Sequence, residues 1–557
     1  MSESLFSQSG GLDPEVVEAA REELRRRLPE LRKLPGFPIG SDEDILRMSV
    51  PPYYTACPNP FIEDWLEETK PEGYDDREYV DPGPFVSDVS EGKTHPIYKA
   101  HSFWTKVPHK AIMRYILHYT RPGDVVLHGF SGSGMTGVAA QACGAPEPEF
   151  RQQVEAEMGA VEWGARRAVL QDLSPIATFI SAGLNLPVDA AEFDEASQRI
   201  LDKFEAEWGW MYETTHTDGS KAKIDYTIWS EVFTCPNCGG EIVFYDAAYD
   251  PQTGKVRDDI VCPTCASSNQ KRSLERRFTT DRMVGGSQVD RIALRPVRIA
   301  YRVGGHRFEK TPDEADLAVL DKVRDIQPPT FPTGLLPVDE MTHGSRLAPK
   351  GFTRIEHLWP DRALVSLALL WNAAEEADAD VSSLKFWIEQ AFWGLSWMNR
   401  WRPDGYSHVN QFMTGVYYLP SMVAEPSVRY NLEGSIPSRG KRRSLVKMWA
   451  DNPARAGNVA ISTGSSERVP LPSDSVDYVF VDPPFGENIP YADLDLVIES
   501  WHRVFTNVSS EAIIDQFRDK ELPQYQSLMA RCFSEFRRVL KPGRWMTVEF
   551  SNSSNDV

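Results

Sequence analysis

Asp482-Pro483-Pro484-Phe485 follows the apolar run Val479-Phe480-Val481. The run reads as a buried strand of a parallel sheet, and the two prolines deny it both a continuing ladder and a following helical turn. The product is a rigid loop at a strand's carboxyl end, where open α/β sheets hold their ligands. There Asp482 can accept a hydrogen bond from an amino group, the Pro483 carbonyl can accept a second, and Phe485 offers a flat face to a heterocycle. Such a set holds a planar amine, and it suits chemistry on an exocyclic amino group.

A second group lies upstream. Residues 124–127 read as another short buried strand, followed by Phe130-Ser131-Gly132-Ser133-Gly134-Met135-Thr136 and a helix-compatible stretch from Gly137. Glycines at a strand-to-helix turn let a ligand approach the backbone beside the free amides of the helix start. Turns of this kind also serve as plain tight bends; beside the proline loop, this one implies a nucleotide-like cofactor. The strand-like run 168–171 then delivers Asp172, either an acid for two ribose hydroxyls or a helix cap.

Together these residues resemble the S-adenosylmethionine-dependent amino-methyltransferases of nucleic acids. That family pairs an Asp-Pro-Phe-x-Gly-Ser-Gly-Thr-Thr-like turn with an Asp/Asn/Ser-Pro-Pro-aromatic loop. More narrowly, the chain looks like the large adenine-specific DNA methylases that carry a zinc ribbon. The resemblance covers residues 95–184 and 459–550 and implies a doubly wound, Rossmann-like α/β methyltransferase sheet. It implies cofactor contacts at Phe130, Gly132, Ser133, Gly134, Thr136, Asp172 and Ser465, and a catalytic loop at Asp482, Pro483, Pro484 and Phe485. Two positions depart from the pattern: His128-Gly129 stands where the family has Asp-Pro, and Ser465 replaces an aspartate. Lys106 or Thr105 could pair with the cofactor's carboxylate instead, or Lys106 could solvate a helix start. Asn488 and Tyr491, just past the loop, either line the pocket or shape the turn.

Cysteine spacing supplies a separate anchor. Cys235-Pro-Asn-Cys238 and Cys262-Pro-Thr-Cys265 form two knuckles separated by 23 residues, with strand-like 241–245, a turn at 250–254 and Ile260-Val261 between them. Four thiolates on two knuckles suit tetrahedral Zn(2+), and a sphere filled by cysteine is structural rather than catalytic. Cys57, Cys143 and Cys532 have no such spacing and read as free thiols.

The chain has 557 residues and a formal charge of -21, which excludes a generally adhesive nucleic-acid binder and requires any DNA surface to be local. Local basic groups exist at Lys271-Arg272 with Arg276-Arg277, and at Arg439 with Lys441-Arg442-Arg443 and Lys447; each is either a solvated face or a phosphate contact. Arg21 to Arg27 alternate with acids and read as a solvated helix. No apolar run approaches the roughly 18 residues that cross a bilayer, and the start lacks a signal-peptide pattern, so the expectation is a soluble cytoplasmic protein with no membrane partner.

The expected organisation is an N-terminal wrapping segment (1–95), the cofactor half of the methyltransferase domain (96–189), an insertion (190–455) with the ribbon at about 230–270, and the catalytic half (456–557). Within the first segment Pro51-Pro52-Tyr53-Tyr54 mimics the catalytic loop, but Val50 takes the acidic position and no buried strand feeds it. An acidic loop is expected around residues 147–162. The insertion should hold a β-like stretch at 297–308 and helices at 362–376 and 383–400, the second with a core-facing stripe of Phe386, Trp387, Phe392, Trp393 and Trp397. Residues 400–406 and 410–418 read as substrate-facing loops. After a last strand at 545–550 little sequence remains for the closing helix and hairpin of the sheet, so the carboxyl end reads as truncated, the alternative being a separate chain that completes the sheet. The expected activity is methylation of adenine N6 in duplex DNA on a flipped-out base, with restriction or antiphage defence proteins as partners implied by the resemblance. Cytosine N4 methylation, and a catalytically silent zinc-containing scaffold that binds nucleic acid in a modification or defence complex, are the alternatives.

Overall fold

Short runs of β-branched and aromatic residues, apolar on both faces, build the sheet that positions the site. In the computed structural model, which describes residues 6, 12–74, 79–88, 91–337, 347–403, 417–434, 440–452, 454, 456–486 and 489–550, the chain divides into two compact units, Met1–Ala190 with Ser444–Val557, and Ala191–Arg443.

The first unit carries a parallel sheet of six strands: β1 (Tyr54–Thr55), β2 (Val125–His128), β3 (Arg167–Asp172), β4 (Val459–Thr463), β5 (Tyr478–Val481) and β6 (Met546–Val548). Their order is β1-β4-β3-β2-β5-β6. Strands β2 and β5 are wholly buried, as parallel strands covered on both faces must be. From β2 the chain steps outward through β3 to β4, then returns to the other side of β2 for β5 and β6. The order therefore reverses between β2 and β5, and at such a switch point the loops leaving the carboxyl ends diverge and open a crevice. Helices α1 (His109–Tyr119), α2 (Met135–Ala142), α3 (Pro175–Asn185), α4 (Tyr491–His502) and α5 (Leu522–Val539) cover the sheet. Ser174 caps α3 by accepting from the Ala177 amide, so the cap is Ser174 and not Asp172.

The Pro51-Pro52-Tyr53-Tyr54 run is preceded by the helix Asp42–Met48 and not by a buried strand, but it leads into one: Tyr53 and Tyr54 are fully buried, the Tyr53 carbonyl accepts from the Ile461 amide at 2.8 Å, and β1 extends the sheet beyond β4. One reading of this unit changes. Residues 147–162 are not a loop, because Pro148–Met158 forms a helix that buries Phe150 and Val154.

The second unit is built on a seven-stranded sheet around the long strand Lys221–Thr234. The expected β-stretch is a hairpin, Leu294–Val303 turning through Gly304-Gly305 into His306–Lys310. Helix Asp361–Glu375 forms as read, but the second helix ends at Ile388 and passes into a tight turn, Glu389–Ala391. That break seats Phe392, Trp393 and Trp397 in the core beside Phe386 and Trp387, all of them buried. Arg362 fastens the first helix by a bidentate contact to the buried Glu425 at 2.8 and 2.9 Å. Among the described residues no helix is long and apolar enough to cross a membrane.

Candidate functional site

The register of β5 against β2, Tyr478 opposite Val126 and Val479 opposite Leu127, sets the two loops that leave these strands side by side. Between them and the neighbouring helices lies a cleft of about 960 Å³, counting its open mouth.

One wall is the glycine turn. Gly132 has φ +49°, and a β-carbon there would lie 2.9 Å from the Phe103 ring. Gly134, at φ +76°, starts α2, where a β-carbon would meet Ser181 Oγ at 2.1 Å. Both positions are closely packed and at positive φ, Gly132 against the cleft-lining Phe103 and Gly134 against α3. Asp172, at the end of β3, accepts from the Gly132 amide at 2.8 Å through Oδ2 and from the Ser174 amide at 3.0 Å through Oδ1. Burial lifts its pKa to about 6.

The opposite wall is the proline loop. Burial, with a smaller contribution from Glu549, raises Asp482 to about 7. Among the described residues nothing donates to its carboxylate, which faces the cleft. The Pro484 carbonyl accepts from Tyr525 Oη at 2.6 Å, pinning the loop to α5. Phe485 meets Phe550 edge to face at 5.5 Å.

His128, the residue that departs from the family pattern, joins the walls. The Asp482 amide donates to His128 Nε2 at 3.3 Å, and His128 Nδ1 lies 2.7 Å from Thr136 Oγ1. Because an amide can only donate, Nε2 is the bare nitrogen and Nδ1 carries the proton that Thr136 accepts. Burial pushes the imidazole down to about 3, so it is neutral. A single uncharged ring therefore ties the first turn of α2 to the backbone of Asp482.

Of the residues singled out from sequence, the cleft brings together Lys106, Phe130, Gly132, Ser133, Thr136, Asp172, Ser465, Asp482, Pro484 and Tyr491; Gly134, Pro483 and Phe485 do not line it. Asn488 and Arg439 lie outside the described residues, as do residues 404–416 of the expected substrate-facing loops and residues 551–557 of the carboxyl end. Lys106 does not solvate a helix start. It is half-buried, with Nζ donating to the carbonyls of Tyr98, at 2.8 Å, and His101, and desolvation lowers it to about 7. Ser465 is held from both sides, its amide donating to Pro35 O at 3.2 Å and its carbonyl accepting from Gln171 Nε2 at 2.8 Å.

Asp495 was not found from sequence. It accepts from Trp104 Nε1 at 2.5 Å and Ser174 Oγ at 2.7 Å, and burial raises it to about 7. Its signal was available, since Tyr491 and Asp495 stand one turn apart on α4 and share a face. Asp172, Asp482, Asp495 and Glu511 make the cleft rich in acid and suited to a cationic guest.

The second unit gathers the four cysteines. The sulfurs of Cys235, Cys238, Cys262 and Cys265 all lie within 4.8 Å of one another. Cys235 to Cys265 is 3.8 Å and Cys238 to Cys262 is 3.7 Å. The two knuckles repeat each other: Gly239 N donates to Cys235 O at 2.9 Å and Ala266 N to Cys262 O at 3.0 Å, each at positive φ. The interval differs from the simple hairpin expected, because the first strand stops at Val243 and Phe244–Ala248 is a short helix with three core side chains. Cys57, Cys143 and Cys532 are buried thiols raised to about 12, 11 and 12 by burial.

One basic group is a structural tie. Arg442 is buried between Glu433 and Asp194, and Lys441 Nζ donates to Gln390 O and Asn431 Oδ1, so neither faces solvent as a phosphate contact would. On Pro14–Leu31, by contrast, Arg21, Arg25, Arg26 and Arg27 each pair with a glutamate, as a solvated helix does.

Residues 59–145, which include β2 and the glycine turn, match a family model of N6/N4 methyltransferases described as DNA methylase. The match supports DNA amino-methylation in general and, with it, use of a methyl donor. No curated protein and no solved structure matches the chain.

Proposed function

We propose that this protein is an S-adenosylmethionine-dependent DNA methyltransferase acting on an exocyclic amino group, by preference adenine N6, of a base turned out of the duplex. The observation that carries the reading is the pairing of β2 with β5, which sets the glycine turn and the Asp482 loop on one cleft. The residues fit the donor: the glycine turn at Gly132, the Asp172 carboxylate, the held Ser465 segment and a surplus of acid around a sulfonium charge. When bound, the donor supplies an electrophilic methyl group.

The chain's own residues prepare the acceptor. An adenine amino lone pair is delocalised into the ring, and hydrogen bonds from its two N–H groups to Asp482 and to the Pro483 carbonyl favour the tetrahedral nitrogen that can attack. Once methylated, that nitrogen sheds a proton, and Asp482, with its raised pKa, is placed to take it. His128 and Tyr525 hold the loop so that these acceptors need no reorganisation. Unstacking the base costs a few kcal/mol.

The cysteine cluster is read as a structural zinc site. Zn–S bonds of about 2.3 Å in a tetrahedron separate sulfurs by about 3.8 Å, which agrees with the two short pairs.

The test is incubation of the protein with labelled cofactor and duplex DNA, followed by nucleoside analysis. Labelled N6-methyladenine, lost in Asp482→Ala, is the expected result. N4-methylcytosine would move the substrate, and absence of label together with no cofactor-induced rise in melting temperature would leave a silent scaffold.

A further inference from the structure

The second unit has a groove that the proposed chemistry does not use. It lies beside the cysteine knuckles and encloses about 1650 Å³ of open space. Its lining includes Arg257, Lys271, Arg272, Arg400 and Arg402, against a single acid, Asp258. In a chain with a formal charge of -21, such a concentration of cations is a local exception.

A basic face is commonly just a solvated one, and the helix Pro14–Leu31 shows what that looks like here, every arginine of its cluster matched to a glutamate. The groove differs. Among the described residues Arg272, Arg400 and Arg402 form no ion pair, and all three side chains are exposed. Their backbones are nevertheless fixed. Arg272 sits in the tight turn Lys271–Ser273, which leaves a strand paired to Asp259–Val261. Arg400 is bridged to Val423, and the Trp401 amide donates to Met422 O at 3.0 Å. Trp401 itself is buried against Tyr245 and Tyr249, with ring centroids 5.5 and 5.0 Å away. Charges held open on a rigid floor are preorganised for a ligand. The space is too large and too open for one phosphate, and separated guanidinium groups match a chain of them. Tyr418, half exposed at the rim, adds a ring that can lie on a sugar or base.

We propose that this groove grips the phosphate backbone of duplex DNA and gives the second unit a sequence-independent hold on the substrate. The proposal rests on the reading of the first unit as a DNA methyltransferase, because that reading names the polyanion. Backbone contacts of this kind supply affinity and position rather than sequence choice.

The test uses the full chain with its metal, a fluorescent random duplex and anisotropy titrations over a salt series. The triple variant R272A/R400A/R402A should bind about tenfold more weakly, and the slope of log affinity against log salt should fall by about 2 to 3, one for each lost phosphate contact. Its melting temperature and cofactor-induced shift should match the parent, which separates lost contacts from lost folding. An unchanged salt slope would overturn the groove, as would tighter binding of a matched RNA duplex. The two readings fail separately: methylation with an unaltered slope removes only the groove. Duplex binding that collapses in the triple variant of a protein without transferase activity removes only the methylation.

Discussion

At the scale of single residues, the proposed reaction turns on how Asp482 is kept an acceptor. Its carboxyl is raised to about 7 by burial and by Glu549, so near neutrality it passes between a carboxylate, which accepts from an amine, and an acid, which competes as a donor. Methyl transfer under single-turnover conditions should therefore fall as pH drops through about 7, and a profile flat from pH 6 to 8.5 would remove Asp482 from the step. Stability should move the opposite way. Asp172, Asp482 and Asp495 titrate at about 6, 7 and 7 in the folded protein, above the unfolded value of about 4. The fold thus holds protons that the unfolded chain has released; the associated stability is full below about pH 4 and gone above about 7. Melting temperature should fall as pH rises across that window, and in Asp495→Asn the difference between pH 5 and pH 8 should shrink. His128 acts through Asp482 and stays neutral across this range. His128→Leu leaves the Asp482 amide and Thr136 hydroxyl without a partner, costing about 1–3 kcal/mol of stability. It should also lower kcat by up to about 100-fold by loosening the loop, while the inflection near pH 7 survives. Loss of that inflection would mean that the imidazole, not Asp482, titrates.

At the scale of elements, the glycine turn separates two roles that its sequence shows as one. Gly134→Ala places a methyl group 2.1 Å from Ser181 Oγ at a backbone angle that favours glycine, and overpacking there should cost about 1–3 kcal/mol. Gly132→Ala meets the edge of Phe103 at a backbone angle that also favours glycine, and both residues line the cleft, so besides lowering the melting temperature it should weaken cofactor affinity, which Gly134→Ala should not. Paired calorimetric titration and thermal melts distinguish the two, and equal effects on both readouts would count against the assignment. What was legible follows from local physics: the apolar runs behind β2, β3 and β5 and the punctuation at Gly132, Gly134 and Pro483 can be read residue by residue. What was not legible is tertiary. Strand β1 has two residues and exists because β4 offers it a ladder. Helix Pro148–Met158 hides in an acidic stretch whose burial rests on Phe150 and Val154 alone. The link from His128 to Asp482 spans 354 positions of chain and needs both loops in place. Lys441 and Arg442 look like a surface in sequence and are anchors in the fold, because Asp194, Asn431 and Glu433 reach them only after folding.

At the scale of the whole molecule, each unit has a sheet with extensive apolar burial, six strands in the first and seven in the second, and the cysteine module is the part whose stability has a different source, a difference that can be measured. In the second, the cysteine knuckles close over a small cluster that includes Cys235, Cys262, Ile242, Ile260, Phe244 and Tyr245, and short strands such as Ser268–Gln270 carry no buried side chain. On the proposed reading so small a module would be held by a zinc ion as much as by its core, since binding free energy at a structural zinc site is folding free energy. Chelation, or Cys238→Ser, should therefore lower the melting transition of the second unit while the first unit still gains stability from the cofactor. Differential scanning calorimetry with and without S-adenosylmethionine reads both, and native mass spectrometry should give one zinc per chain, lost on chelation. If chelation instead abolished the cofactor-induced shift, or left every transition unmoved, the cluster would not be a separate structural site. The four sulfurs would then need another account, of which a redox pair is the first to test by thiol titration.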